Sequence, residues 1–317
     1  MALTTYITDT HADETYFNAV NTVVNHLSSK YSVDSSLVHT GDFVDFKSSD
    51  DDIKKVNKRL GKFNGKVYGV LGNHDLIHDG IEEKLGNVEL LEFKQKKING
   101  LTHYGIRHHT GNGGEHAQEN DYKTLEERFS EVEEKLPKSQ VLLAHEGMDS
   151  FSHQEVNYHE PTSELVKKYG LEVISGHVHG TKTGAISEDS DAFGYRGCAQ
   201  NDNDLFIRVG YGTQSQMYQV SNSAVREWAA ELNPKGDYKS SVKESPSPEL
   251  GQTKNSPKEG MGMPISPEEF QSRFEKIAPR LNPAFIEKLN SGKATRKELA
   301  DLQDLIINFE DDADLAA

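Results

Sequence analysis

The chain has 317 residues, a formal net charge of −16 and 34% hydrophobic residues, with a mean hydropathy of −0.70. That length predicts one to three domains, and the low apolar content predicts that part of it is solvated linker or tail. The single cysteine, Cys198, excludes a disulfide framework and a zinc-thiolate site, and no apolar run of about 18 residues is present to span a membrane.

The acidic balance repels phosphate backbones at long range, which disfavours non-specific nucleic-acid binding. The opening residues, MALTTYITDTHAD, carry no basic segment followed by an apolar stretch. A secretory signal is therefore not expected, and the expected location is cytoplasmic.

Strand-like runs open the chain at Ala2–Thr8 and return at Ser35–Thr40 and Lys66–Leu71. Between them, Tyr16, Phe17, Val20, Val23, Val24 and Leu27 stand at helical spacing within Asp13–Lys30, and Asp50–Gly61 reads as a polar helix. Val88–Phe93 and Leu101–Arg107 read as strands joined through an Asn99-Gly100 turn. An acidic helix follows over Leu125–Leu136. Strands at Gln140–Ala144 and Glu172–Ser175 enclose a helix around Thr162–Tyr169, and further strands are predicted at Asp204–Gly210 and Gln216–Val220. Strands alternating with helices predict a layered α/β domain over residues 1–232.

From 233 to 265 the chain is rich in Pro, Ser, Lys, Glu and Gly and reads as a flexible linker. Residues 266–317 then carry three helix signals, including capping boxes that begin at Ser266 and Thr295. The last helix bears Leu299, Leu302, Leu305, Ile306 and Phe309. This stripe either packs within a small C-terminal module or, through residues 295–309, meets a protein partner or a second copy of the chain.

Five short segments stand at predicted strand ends: Asp9-Thr10-His11, Gly41-Asp42-Phe43-Val44-Asp45, Gly72-Asn73-His74-Asp75, Ala144-His145-Glu146-Gly147 and Gly176-His177-Val178-His179-Gly180. Strand ends on one edge of an open α/β sheet are where such folds place their sites. Each segment supplies a carboxylate, an imidazole or an amide beside a small residue that permits a sharp turn. Asp75 is expected to hold its turn by accepting backbone N–H groups. Donors of this mixed kind, with no thiolate, suit divalent Mn²⁺, Fe²⁺ or Zn²⁺. His39 reads as a half-buried sheet residue.

The order D-x-H, G-D-x-x-D, G-N-H-D, H, G-H-x-H resembles the calcineurin-like metallophosphoesterase superfamily over about residues 1–225. The resemblance implies a four-layer α/β/β/α sandwich with two divalent metal ions at one end of its sheets. It implies that Asp9, His11 and His179 hold one ion, that Asn73, His145 and His177 hold the other, and that Asp42 bridges both. Hydroxide held between the ions would attack phosphorus. His74 would stabilise the transition state and protonate the leaving oxygen, and Asp45 would orient His74; the other reading of Asp45 is a turn cap. Arg107 and His108, ahead of a Gly-rich loop, are candidates to contact substrate phosphate.

The second motif continues as Phe46-Lys47 rather than Arg-Gly, unlike the protein phosphatases of the superfamily. No stretch between Asn73, His145 and His177 is long enough for a large cap domain. The resemblance is thus to the compact phosphodiesterase branch, acting on a small phosphoester or nucleotide. A DNA-repair-type nuclease working with a partner through the C-terminal helices is the second reading. A non-catalytic scaffold on the same fold is the third.

Overall fold

The computed structural model describes residues 2–107, 125–148, 159–178, 180–197 and 205–235. All of them fall within the first of two compact units, Met1–Ser241. The linker expected from 233 onward is described only to 235. The C-terminal helices with their Leu299–Phe309 stripe lie outside the described residues, as do the Gly-rich loop, His108 and His179.

Twelve strands are named among the described residues: β1 (Ala2–Ile7), β2 (Asp34–His39), β3 (Lys66–Gly69), β4 (Glu89–Leu90), β5 (Gln95–Ile98), β6 (Leu101–Ile106), β7 (Val141–Ala144), β8 (Glu172–Ser175), β9 (Lys182–Ala185), β10 (Phe193–Arg196), β11 (Leu205–Gly210) and β12 (Gln216–Val220). Among the helices are α1 (Glu14–Tyr31), α2 (Asp50–Leu60), α3 (Asn73–Leu76), α4 (Ile81–Lys84), α5 (Phe129–Lys135), α6 (Glu160–Tyr169) and α7 (Asn222–Leu232). The strands form two six-stranded sheets, ordered β12-β11-β1-β2-β3-β4 and β5-β6-β7-β8-β10-β9.

Each sheet is parallel at its centre. β1, β2, β3 and β4 run parallel in the first, and β6, β7, β8 and β10 in the second. Antiparallel strands close three of the edges: β11 and β12 on one, β5 on another, β9 on a third.

Period-two alternation sorts the strand side chains into separate apolar layers. On β1, Leu3 and Ile7 face outward and pack with Tyr16, Phe17, Val20 and Val24 of α1 and Val225 of α7. Tyr6 faces the other sheet, and Val38, Val70, Val141, Leu143, Ile174 and Phe206 join it in a core between the sheets. A third cluster sets Leu142, Ala144 and Val173 of the second sheet against Val132 of α5 and Val166 of α6. Three apolar layers between four layers of secondary structure make the chain an α/β/β/α sandwich.

Local chemistry sets the helix ends. Asp13 caps α1 by accepting the Tyr16 N–H at 3.0 Å. Ser49 and Asp52 form a reciprocal capping box on α2, which satisfies two N–H groups that the first turn leaves open.

The sequence reading differs from the structure in several places. The Asn99-Gly100 turn joins β6 to β5, Gln95–Ile98, and Val88–Phe93 contributes only β4, which belongs to the other sheet. Gln-Lys-Lys-Ile shows little apolar signal because β5 is a sheet edge, where charged residues such as the exposed Lys97 discourage further pairing. The strands β9 and β10 and the helix α7 were also not expected. Lys-Thr-Gly-Ala and Phe-Gly-Tyr-Arg are short, glycine-bearing strands whose stability comes from pairing.

Candidate metal centre

The parallel centres of both sheets end on one edge, and the five segments follow those ends. Asp9 and His11 follow β1, Asp42 follows β2, Asn73 and His74 open α3 directly after β3, His145 follows β7 and His177 follows β8. Residues remote in sequence meet there because parallel strands must all end on the same side.

The turns are tight and strained. Asp9, His11, Asp42 and His177 all sit at positive φ (48°, 44°, 57° and 64°). Each costs about 1–2 kcal/mol for a residue with a Cβ, so the neighbouring structure must hold it. Backbone bonds do so in part: Asp9 N–H to Gly41 O at 3.0 Å, His11 N–H to Asp42 O at 3.0 Å and Ala12 N–H to Phe43 O at 2.9 Å. Close approach of other groups requires glycine at Gly72 and Gly176, among others. A Cβ at Gly72 would collide with the Asp42 carboxylate, and one at Gly176 with the side chains of Thr8 and Asp9.

Asp42 Oδ2 is the hub. It lies 3.3 Å from His145 Nε2, 3.7 Å from His11 Nε2 and 3.9 Å from His74 Nε2. Asn73 Oδ1 is a second meeting point, 3.1 Å from His145 Nε2 and 3.1 Å from His177 Nδ1. Asp9 accepts the His177 N–H on both carboxylate oxygens, each at 3.0 Å, and the Thr8 hydroxyl at 2.5 Å. His145 Nδ1 donates to Thr40 O at 2.8 Å, which leaves Nε2 as the ring's ligating nitrogen. Asp75 accepts N–H groups from Asp42, Val44 and Gly72 at 2.8, 3.1 and 2.9 Å. It holds its turn, as its sequence context predicts.

The electrostatics are those of crowded negative charge out of water. Burial, and then the neighbouring Asp42 carboxylate, push Asp75 up to about 8. Asp9 rises to about 7, chiefly through burial and with Asp42 adding to it. Burial also opposes ionisation of Asp42, but His145, His74 and His11 outweigh it and hold that carboxyl well below the usual range. Burial alone would lower His145; Asp42 and Asp9 reverse this and carry it to about 10. Carboxylates and imidazoles packed this closely fit divalent cations, which neutralise the carboxylates and take the imidazoles in neutral form. Two groups, Asp9/Asp42/His145 and His11/Asp42/His74, each bring ligand atoms within 4.8 Å of one another and share Asp42.

The remaining candidates are placed as follows. His74 Nδ1 accepts the Phe46 N–H at 3.2 Å, and its ring meets the Phe46 ring edge-on at 5.5 Å. The Asp45 carboxylate accepts the Lys47 N–H at 3.1 Å, the bond of the turn-cap reading, while the donor to His74 is the N–H of the next residue, Phe46. In the sequence Phe46 stands out only as a departure from the protein-phosphatase motif, since a backbone donor leaves no signature there. Arg107 follows β6 and faces two acids, Glu82 at 3.9 Å and Glu92 at 4.0 Å. His108 and His179 lie outside the described residues.

The family model for calcineurin-like phosphoesterase matches residues 3–181. Solved structures similar in fold include TT1561 of Thermus thermophilus, at 14% identity and TM-score 0.48, covering 65% of this chain and 93% of that one. A 5′-nucleotidase from Candida albicans is similar at 12% identity and TM-score 0.46, with 72% and 54% covered. Purple acid phosphatase PPD1 of yellow lupin, Lupinus luteus, is similar at 13% identity and TM-score 0.43, with 70% and 52% covered. No curated protein matches the chain. The family match runs through the turns that carry Asp9, Asp42, Asn73, His145 and His177, and the chain belongs to the calcineurin-like phosphoesterase family.

Proposed function

We propose that the protein hydrolyses phosphodiester bonds at this centre. The family is dinuclear-metal dependent. Two divalent cations, when bound, supply an activated water and neutralise phosphoryl oxygens. Asp9, Asp42, His11, Asn73, His145 and His177, with His179 as the resemblance implies, would hold them.

The observation that carries the proposal is the convergence of three imidazole Nε2 atoms on one oxygen of Asp42, a carboxylate shared between the two ligand groups. The Asp42 side chain is 3% exposed and that of His74 is 22% exposed, so of the two it is His74 that solvent reaches. A bond accepted at Nδ1 from Phe46 N–H leaves the neutral ring's proton on Nε2, the nitrogen that faces Asp42. From there His74 donates to the leaving oxygen and stabilises its charge. Complete proton transfer needs the cationic ring, which has to release the Phe46 N–H first. Diesters with a poor leaving group therefore depend most on His74.

The test compares monoester, diester, cyclic nucleotide, dinucleotide pyrophosphate and DNA substrates, each with Mn²⁺, Zn²⁺ and Mg²⁺. Diesters should turn over fastest. His74→Ala should keep its metal and lose about 10²–10⁴-fold in kcat, with the larger loss on poor leaving groups. Equal turnover of wild type and His74→Ala on an alkyl diester would remove His74 from the mechanism.

A further inference from the structure

We propose that His39 and Thr10 form a buried positioning pair that sets the turns of Asp9, His11 and Asp42 in the geometry needed to bind a pair of cations. The inference deepens the metal-centre reading and rests on it.

His39 closes β2, two residues before Gly41. Its ring is fully buried and stacks on Phe43 at 3.9 Å with an interplanar angle of 18°, with Phe17 of α1 at 6.1 Å. An apolar ring would suit that slot equally well. What distinguishes a histidine here is where its two nitrogens go. Nδ1 accepts the Gly41 N–H at 3.2 Å. The proton of the neutral ring is then on Nε2, which donates to Thr10 Oγ1 at 2.9 Å. The Thr10 hydroxyl is left to donate toward the carbonyls of Asp42 and Phe43, both at 3.4 Å. Burial also holds His39 well below the usual imidazole range, which keeps it in this neutral form.

Both ends of this chain of donors are turns that carry ligands. Thr10 lies between Asp9 and His11, and Gly41 (φ 103°) directly precedes Asp42. These are the turns whose left-handed residues have to be held by their surroundings. One neutral ring thus ties the turn after β1 to the turn after β2 without entering the site. Buried hydrogen-bonded pairs of this kind fix a single arrangement of the groups they join.

The experiment uses the full-length protein titrated with Mn²⁺ by calorimetry and by electron paramagnetic resonance, with kcat on an aryl phosphodiester measured alongside. His39→Phe keeps the stacking and removes both nitrogens, and Thr10→Val removes only the hydroxyl. Each should weaken Mn²⁺ binding about 10–100-fold and alter the spectrum of the coupled manganese pair. The double variant should lose no more than the worse single one, because both act through one chain of bonds. His39→Gln, whose amide N–H reaches toward Thr10, should recover part of the affinity. Wild-type affinity and an unchanged spectrum in both His39→Phe and Thr10→Val would overturn the inference. Should His39→Phe fail to fold, Thr10→Val decides by itself. A wild-type protein that binds no manganese pair would instead overturn the metal-centre reading, and this inference with it.

Discussion

Two buried polar regions lie at opposite ends of β8, and they solve the problem of burial differently. Glu172 opens the strand and pairs with Arg208 of β11 across the two sheets. Beside them the Tyr6 hydroxyl donates to His103 Nε2 at 2.9 Å, while His103 Nδ1 donates to Leu101 O at 3.0 Å. One cation faces one anion, and one neutral ring faces one phenol. Burial pushes His103 down to about 3 and raises Tyr6, so both stay uncharged. At the other end Asp9, Asp42 and Asp75 crowd together, and burial with mutual repulsion lifts Asp9 to about 7 and Asp75 to about 8. A cluster matched in charge serves to join the sheets. A cluster whose buried carboxyls are pushed toward their protonated forms is poised to exchange those protons for positive charge from outside the chain.

The sharpest way to break that contrast is Asp42→Ala. It should abolish binding of the metal pair and lower phosphoesterase activity on the order of 10³-fold or more, as expected when a shared ligand is lost. Metal analysis and turnover on the same sample check it; a variant that kept both ions would show that Asp42 is not their common ligand.

The inter-sheet region should respond in stability and not in metal binding. The part of the stability that His103 contributes should fall as pH drops from about 6.5 to 3. The unfolded His103 imidazole takes up a proton in that window and the folded one refuses it. This contribution is on the order of 5 kcal/mol at its full depth. Urea unfolding of His103→Phe and wild type at pH 7 and pH 4 measures it: the stability of wild type relative to the variant should fall between the two pH values, and an unchanged difference would remove His103 from the account. Glu172→Gln leaves the Arg208 charge buried opposite a neutral amide and should cost about 3 kcal/mol in urea unfolding. Manganese affinity should stay within twofold, and a matching fall in affinity would mean the two ends are coupled.

The smallest effect is expected from removing residues 242–317. If the catalytic unit ends before them, kcat on a small diester should stay within about twofold, and loss of activity would mean that the C-terminal segment completes the site.

Much of the site was legible because its residues are chemically distinctive and each follows an apolar run. Asp42 and His145 could be nominated from the order of the five motifs and the resemblance it carries, with no knowledge of contacts. The hidden parts are those where the backbone does the work. Phe46 acts through its N–H on His74, and Thr40 through its carbonyl on His145. His39 was expected as a half-buried sheet residue, yet it is fully buried with both nitrogens engaged by neighbouring turns. Elements that burial stabilises were readable. Those that pairing stabilises, such as β5, β9 and β10, were not, because short polar strands carry little periodic signal.

Residue types and their order sufficed for the α/β class, for α1 with its buried stripe and for the donors that suit divalent ions, since composition and local periodicity act over a few residues. Which donors share an oxygen, which ring nitrogen is left to bind and which acids crowd together were decided only once two parallel sheets brought five distant turns to one edge. Distance, burial and the direction of each N–H are properties of that packing, and no stretch of chain contains them by itself.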